Sequence, residues 1–213
     1  MKKIFFTLLF VMPLSLHAQF GIKGGLNFAN VTSASSINNS SQTGFHAGIL
    51  FSPHTKIIGF RTEFTYSKQG YNYSSDTNTG SVNLQYIMSA NLMTISITHY
   101  FQIQFGFQTA FLMNAKADSS KSNSSGTSGN PYGALLDYYN RYDYGFAGGV
   151  EVHPVSGLLI GARINISLGK LYKNVQTGQS PSFSDVNVKN NVFQLSAGWI
   201  FGKSKSKSKS GHT

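Results

Sequence analysis

Six ionisable side chains fall on the polar faces of alternating segments of this chain: Lys23, Arg61 and Arg163 against Glu63, Asp143 and Glu151. Three cations and three anions in one interior can pair, or they can stay hydrated and line an ion path. Isolated charges in a narrow, low-dielectric space are costly, so a paired network is the expected outcome. His54, His99 and His153 fall in short connections, and three imidazoles are the raw material of a metal site. Neighbouring turns lie far apart, however, and two of these histidines adjoin Pro53 and Pro154, so solvated turn residues are expected. His46 lies on the inner face of its segment with no acid near it in sequence. Cysteine is absent, which excludes disulfides and thiolate sites. The glycines at Gly21, Gly24 and Gly25, or Gly145, Gly148 and Gly149, precede no helix and make no phosphate loop. No catalytic residue, metal ligand or cofactor is assigned.

The segments that must position these side chains are aromatic-rich and mostly alternate apolar with polar residues, the period of a strand. They run Gln19 to Ala29, Gly44 to Ser52, Ile57 to Gly70, Ser81 to Ile95, Tyr100 to Asn114, Tyr142 to Val152, Gly157 to Lys170 and Lys189 to Gly202. In the fifth, Phe101, Ile103, Phe105, Phe107, Phe111 and Met113 oppose Gln102, Gln104, Gly106, Gln108 and Asn114. In the seventh, Leu158, Ile160, Ala162, Ile164, Ile166 and Leu168 oppose Gly161, Arg163, Asn165 and Ser167. The fourth is the least regular, because Ile87 and Met93 fall opposite Leu84, Tyr86, Met88 and Leu92.

Four long connections (Asn30 to Thr43, Tyr71 to Gly80, Ala115 to Arg141, Leu171 to Val188) alternate with three short ones (Pro53 to Lys56, Ser96 to His99, His153 to Ser156). One face of most segments is wholly apolar, while the other mixes Gly, Gln, Asn, Ser and a few ions. Lipid outside a polar interior fits this best, and it predicts an all-β, eight-stranded antiparallel up-and-down transmembrane β-barrel. Closure also pairs every backbone group that faces hydrocarbon. Tyr66, Tyr71, Tyr73, Tyr142, Tyr144 and Tyr172 gather at the long-loop end and Phe20, Phe51, Tyr100, Phe101, Trp199 and Phe201 at the other, as interfacial girdles would.

Residues 1–18 read as a signal peptide, with Lys2 and Lys3 before the apolar run Ile4 to Met12 and a small residue at Ala18. Residues 19–202 form one barrel domain, and 203–213 a disordered Lys/Ser tail. The net charge of +10 is therefore misleading: two lysines leave with the signal and four sit in the tail, so 11 basic residues face 7 acidic ones. That balance does not suit a nucleic-acid reader.

Leu84-Gln85-Tyr86-Ile87, Tyr100-Phe101-Gln102-Ile103-Gln104-Phe105-Gly106, and Tyr142-Asp143-Tyr144-Gly145-Phe146-Ala147-Gly148-Gly149-Val150-Glu151 together resemble the PorT-like small outer-membrane barrel domains of Bacteroidota. The resemblance continues through Gly157 to Asn165 and Val192 to Phe201, so it covers nearly all of the mature chain. It implies an outer-membrane location, eight strands and no reaction; some members of the wider group take part in protein secretion. The chain departs from such barrels in ending beyond its last aromatic, Phe201, with Lys203 to Thr213.

The expected role is non-catalytic: a monomeric membrane anchor with both termini periplasmic and the lumen largely filled by side chains. It would display loops for recognition or support envelope assembly. In the third long loop, Tyr132, Tyr138, Tyr139 and Arg141 are the residues placed to meet a protein or glycan partner, since tyrosines bury much area at low rotamer cost. These same tyrosines could instead cap the upper girdle. A narrow channel for ions or small solutes is the alternative, and a lipid-modifying enzyme a weaker one. The lipid-facing positions near the loops hold aromatics and threonine but no histidine.

Overall fold

A computed structural model of the chain describes residues 18–32, 38–53, 57–75, 78–120, 139–171 and 189–202. Eight strands carry the described residues: β1 (Ala18–Thr32), β2 (Asn38–Pro53), β3 (Ile58–Ser75), β4 (Asn78–Ser96), β5 (Phe101–Ser120), β6 (Tyr142–Val152), β7 (Leu158–Ser167) and β8 (Lys189–Ile200). Each pairs antiparallel with its neighbours in sequence, and β1 closes on β8 from Gly21 opposite Ile200 to Thr32 opposite Lys189. The sheet therefore has no open edge along the barrel wall.

The expected period of two governs which side chains turn inward. On β3, Arg61, Glu63, Ser67, Gln69 and Tyr71 are buried in the lumen, while Ile58, Phe60, Phe64 and Tyr66 point out. On β7, Leu159, Arg163, Asn165 and Ser167 are buried, and Ile160, Ile164 and Ile166 are exposed. At one end the strands are joined tightly. Thr98 Oγ1 accepts the backbone N–H groups of Tyr100 and Phe101 at 3.2 and 3.0 Å, which satisfies the turn between β4 and β5. Gly157 turns β6 into β7 at φ 94°, a left-handed conformation that favours glycine.

The other end departs from the expected connections. The strands β3 and β4 stay paired as far as Ser75 opposite Asn78, so most of the expected long connection from Tyr71 to Gly80 is sheet. Likewise β5 runs to Ser120 on β4, whereas its pairing with β6 stops at Phe111 opposite Tyr142. Since β2 also pairs with β3 from Asn38 opposite Ser74 to Ser41 opposite Tyr71, a blade of β2, β3, β4 and β5 rises beyond the level where β6 begins. Bulges near Met113 in β5 and between Ser41 and His46 in β2 keep the inward side chains in phase along these long strands.

The fourth strand reverses the rule of its neighbours. Val82, Leu84, Tyr86, Met88, Ala90 and Leu92 face inward and are buried, leaving Asn83, Gln85, Ser89 and Asn91 on the outer face beside Ile87 and Met93. The apolar set of β4 is therefore lumen lining, packed toward Ala110, Leu112 and Ala147 of β5 and β6. Sequence periodicity gave the two faces of β4 but not their direction, because a strand with apolar residues on both sides has no unambiguous outside.

Candidate functional site

Five of the six ionisable residues singled out in the sequence meet inside the barrel. Glu63 of β3 accepts both guanidinium nitrogens of Arg163 from β7, each at 2.8 Å, and Lys23 Nζ of β1 at 2.9 Å. Arg61 Nη1, two residues before Glu63, donates to Glu151 Oε2 of β6 at 2.7 Å and stands 3.8 Å from Glu63 Oε1. These strands lie on different sides of the barrel, so the ion pairs run across the lumen rather than along its wall. All five side chains are nearly inaccessible to solvent.

Room for such long side chains comes from glycine. A Cβ on Gly149 would stand 3.1 Å from Arg163 Cβ and one on Gly198 2.9 Å from Lys23 Cβ, with a neighbouring carbonyl closer still in both places. The glycine motifs of the sequence thus serve close packing inside the barrel.

Asp143, the sixth residue, is elsewhere. It lies at the start of β6, where it accepts the Ser167 hydroxyl and the Tyr144 backbone N–H, so the predicted network loses one anion. The network gains instead a residue expected in a solvated turn. His153 is buried, with Nε2 3.0 Å from Glu151 Oε1. Following β6 by one position puts the ring at the barrel mouth, but the strand's inward parity carries it into the lumen. His99 is exposed as expected, and His54 lies outside the described residues. Among the described residues no group of three His, Cys, Asp or Glu could hold a metal ion.

Gln102 and Gln104 of β5 complete the charged layer, accepting from Arg61 Nη2 at 3.1 Å and Arg163 Nη2 at 3.0 Å. Toward the long-loop end follows a neutral polar layer centred on Asn27. Its Nδ2 donates to the carbonyls of Phe45 and Lys68 at 3.0 and 2.8 Å, which fixes the amide's orientation. Asn27 Oδ1 then accepts from Gln194 Nε2 at 3.0 Å and from His46 Nδ1 at 2.7 Å. His46 therefore carries its proton on Nδ1 and presents Nε2 to Ser196 Oγ at 3.2 Å. Sequence reasoning placed Asn27, His46 and the glutamines on inner faces without joining them, because their partners are up to 167 residues away.

Bulky side chains fill the lumen toward both ends. Leu50, Leu159 and Ile200 cluster at the short-turn end. At the other, Tyr71 OH and Tyr139 OH approach to 3.4 Å, both rings buried. Tyr71 is thus a lumen residue rather than part of a girdle, and Tyr139 is turned away from any partner outside. Of the other proposed recognition residues, Arg141 is exposed, while Tyr132 and Tyr138 lie outside the described residues, as do Tyr172 and the Lys/Ser tail.

The outer wall is a band of apolar side chains, interrupted by the polar outer face of β4. Phe60, Phe107, Phe146, Ile164 and Leu195 are all exposed on it. The family comparison agrees with that inverted distribution: the model described as "Outer membrane protein beta-barrel domain" matches residues 13–173. The chain belongs to this family. As an outer-membrane barrel, it turns that apolar band toward lipid, and the exposed Tyr66, Tyr142 and Tyr144 face Phe20, Phe51, Tyr100, Trp199 and Phe201 across it as two aromatic belts. Phe20 stacks on Phe201 with ring centres 5.8 Å apart.

Among solved structures the barrel is similar to Ail of Yersinia pestis, crystallised with the heparin analogue sucrose octasulfate, at 17% identity over 87% of this chain and 100% of that one (TM-score 0.49). It is similar to neisserial surface protein A at 16% identity, over 85% and 97% of the two chains (TM-score 0.49). For OprG from Pseudomonas aeruginosa the identity is 13%, over 87% and 96% (TM-score 0.42). No curated protein sequence matches the chain.

Proposed function

We propose that this outer-membrane barrel is a sealed, non-catalytic anchor that holds a blade of sheet above the membrane for recognition or envelope assembly. The observation that carries the reading is the transverse ion-pair layer, in which Glu63 is bonded by Lys23 and Arg163 and Glu151 by Arg61. Carboxylates held against guanidinium and ammonium groups make poor bases, and side chains locked across an eight-strand lumen leave no continuous water column. The Leu50, Leu159 and Ile200 cluster at one end and the Tyr71 and Tyr139 pair at the other reinforce the seal. Among the described residues Ser167 and Asp143 have no imidazole near them: His46 and His153 bond other lumen groups, and His99 is on an opposite turn. In this reading both termini are periplasmic, so the tight turns face the periplasm and the β2–β5 blade faces outward. The resemblance to PorT-like barrels supplies the finer family placement within this proposal.

The test is single-channel recording of the refolded mature protein in a planar bilayer, after heat-modifiable migration has confirmed closure. Silence is expected. A reproducible, ion-selective current would replace the sealed anchor with a channel.

A further inference from the structure

The outer face of β4 carries polar groups where its neighbours carry hydrocarbon. Asn91 pairs across the ladder with Thr62 of β3 and Phe107 of β5, and Ser89 with Phe64 and Thr109. These positions lie between Ile87, level with Tyr66 of one aromatic belt, and Ile95, next to the turn that bears Tyr100 of the other. They are within the lipid-facing band.

Asn91 is exposed there. Its Oδ1 accepts from Thr62 Oγ1 at 3.0 Å, and no acceptor among the described residues meets its two N–H donors. If the amide is turned over, one N–H and the oxygen are left over instead. Either way, unpaired amide groups face hydrocarbon, which holds no water to satisfy them. A shift of one residue would have put Asn83, Gln85, Ser89 and Asn91 into the polar lumen and Leu84, Tyr86, Met88 and Leu92 into lipid. The strand adopts the opposite register.

We propose that the β4 face is an interface between two copies of this chain within the membrane, centred on Asn91. A carboxamide is its own complement: two of them related by a twofold axis along the membrane normal exchange a pair of N–H···O bonds. A twofold contact also sets the same patch against itself, which a single polar stripe along one strand satisfies. Ser89, Thr62 and Thr109 are small enough to let two sheets approach, as small hydroxyl residues do between membrane segments. Phe60, Phe64 and Phe107 flank the stripe and would bury their edges around it. This departs from the monomer expected from the sequence.

The absence of cysteine makes the test direct. Asn91→Cys and, as a control, Leu195→Cys on the outer face of β8 at the far side of the barrel are each reconstituted in lipid vesicles and oxidised with copper phenanthroline. Heat-modifiable migration confirms that both fold. Disulfide-linked dimer is expected for Asn91→Cys at about tenfold or more the level of Leu195→Cys. A second measurement avoids cysteine: photobleaching-step counting of labelled wild type in supported bilayers should show pairs, and Asn91→Leu should weaken pairing about tenfold while leaving the barrel folded. Equal cross-linking at the two positions, or single bleaching steps for the wild type, would overturn the proposal, including the case in which a different membrane protein covers this face.

Discussion

Polar side chains in this barrel meet two different fates, and the contrast between the lumen and β4 separates the physics of the two. In the lumen, strands β1, β3, β6 and β7 send Lys23, Arg61, Glu63, Glu151 and Arg163 into one another, and both of these carboxylates are answered by at least one cation. On β4 the inner face is hydrocarbon, from Val82 to Leu92, and the polar atoms are turned outward. One side of the lumen is thus glued by charge and the other packed like the core of a soluble protein. Breaking a buried ion network leaves uncompensated charge, whereas trimming a packed wall leaves only a cavity.

The largest effect should come from Glu63→Ala. It strands Lys23 and Arg163 together and removes a counter-charge from near Arg61, so a loss of about 3 to 5 kcal/mol is expected in denaturant unfolding from lipid vesicles. A loss below about 1 kcal/mol would mean that lumen water, not pairing, satisfies these cations. On the packed side, Leu84→Ala should cost about 2 to 4 kcal/mol by the same assay, because Leu84 is fully buried. If β4 had the opposite facing, with Leu84 in lipid, the substitution would cost far less, so this measurement sharpens the comparison most. Asn27→Ala comes next, at about 2 kcal/mol, since it removes the acceptor of His46 and Gln194.

How much of this could be read from the sequence follows the same division. Where a strand is polar on one side only, as in β5 or β7, alternation fixed the inward face, and Lys23, Arg61, Glu63, Glu151 and Arg163 were found together from parity alone. Asp143 shares that parity but stands at the long-loop end of β6, and height along the barrel depends on shear, which no single strand encodes. His153 was misjudged for a related reason: proximity to Pro154 suggests a turn, while the ladder continues inward one residue further. Tyr71 and Tyr139 met across the mouth because β3 runs on beyond the level where β6 begins, and the strand-forming Tyr71-Asn72-Tyr73 was counted as loop on its polar content. In β4, two apolar residues on the less apolar side were enough to erase the direction.

The smallest effect tests the outer side of the comparison. Thr62→Val keeps the β-branched shape and deletes the hydroxyl that Asn91 accepts at 3.0 Å. In a barrel whose β4 face is bathed in lipid, the lost hydrogen bond and the gain from removing a hydroxyl from hydrocarbon nearly cancel, to within about 0.5 kcal/mol. Unfolding measured at high dilution in lipid, where copies are apart, should therefore be unchanged. At high protein-to-lipid ratio the same substitution leaves Asn91 Oδ1 free to accept only from its counterpart, so the barrel should become no less stable while the pairing of copies persists. A clear destabilisation that is independent of protein-to-lipid ratio would instead assign the Thr62 and Asn91 pair a purely internal role in holding β3 to β4, and the outward turn of the polar stripe would then be a consequence of packing Leu84, Tyr86, Met88 and Leu92 inside.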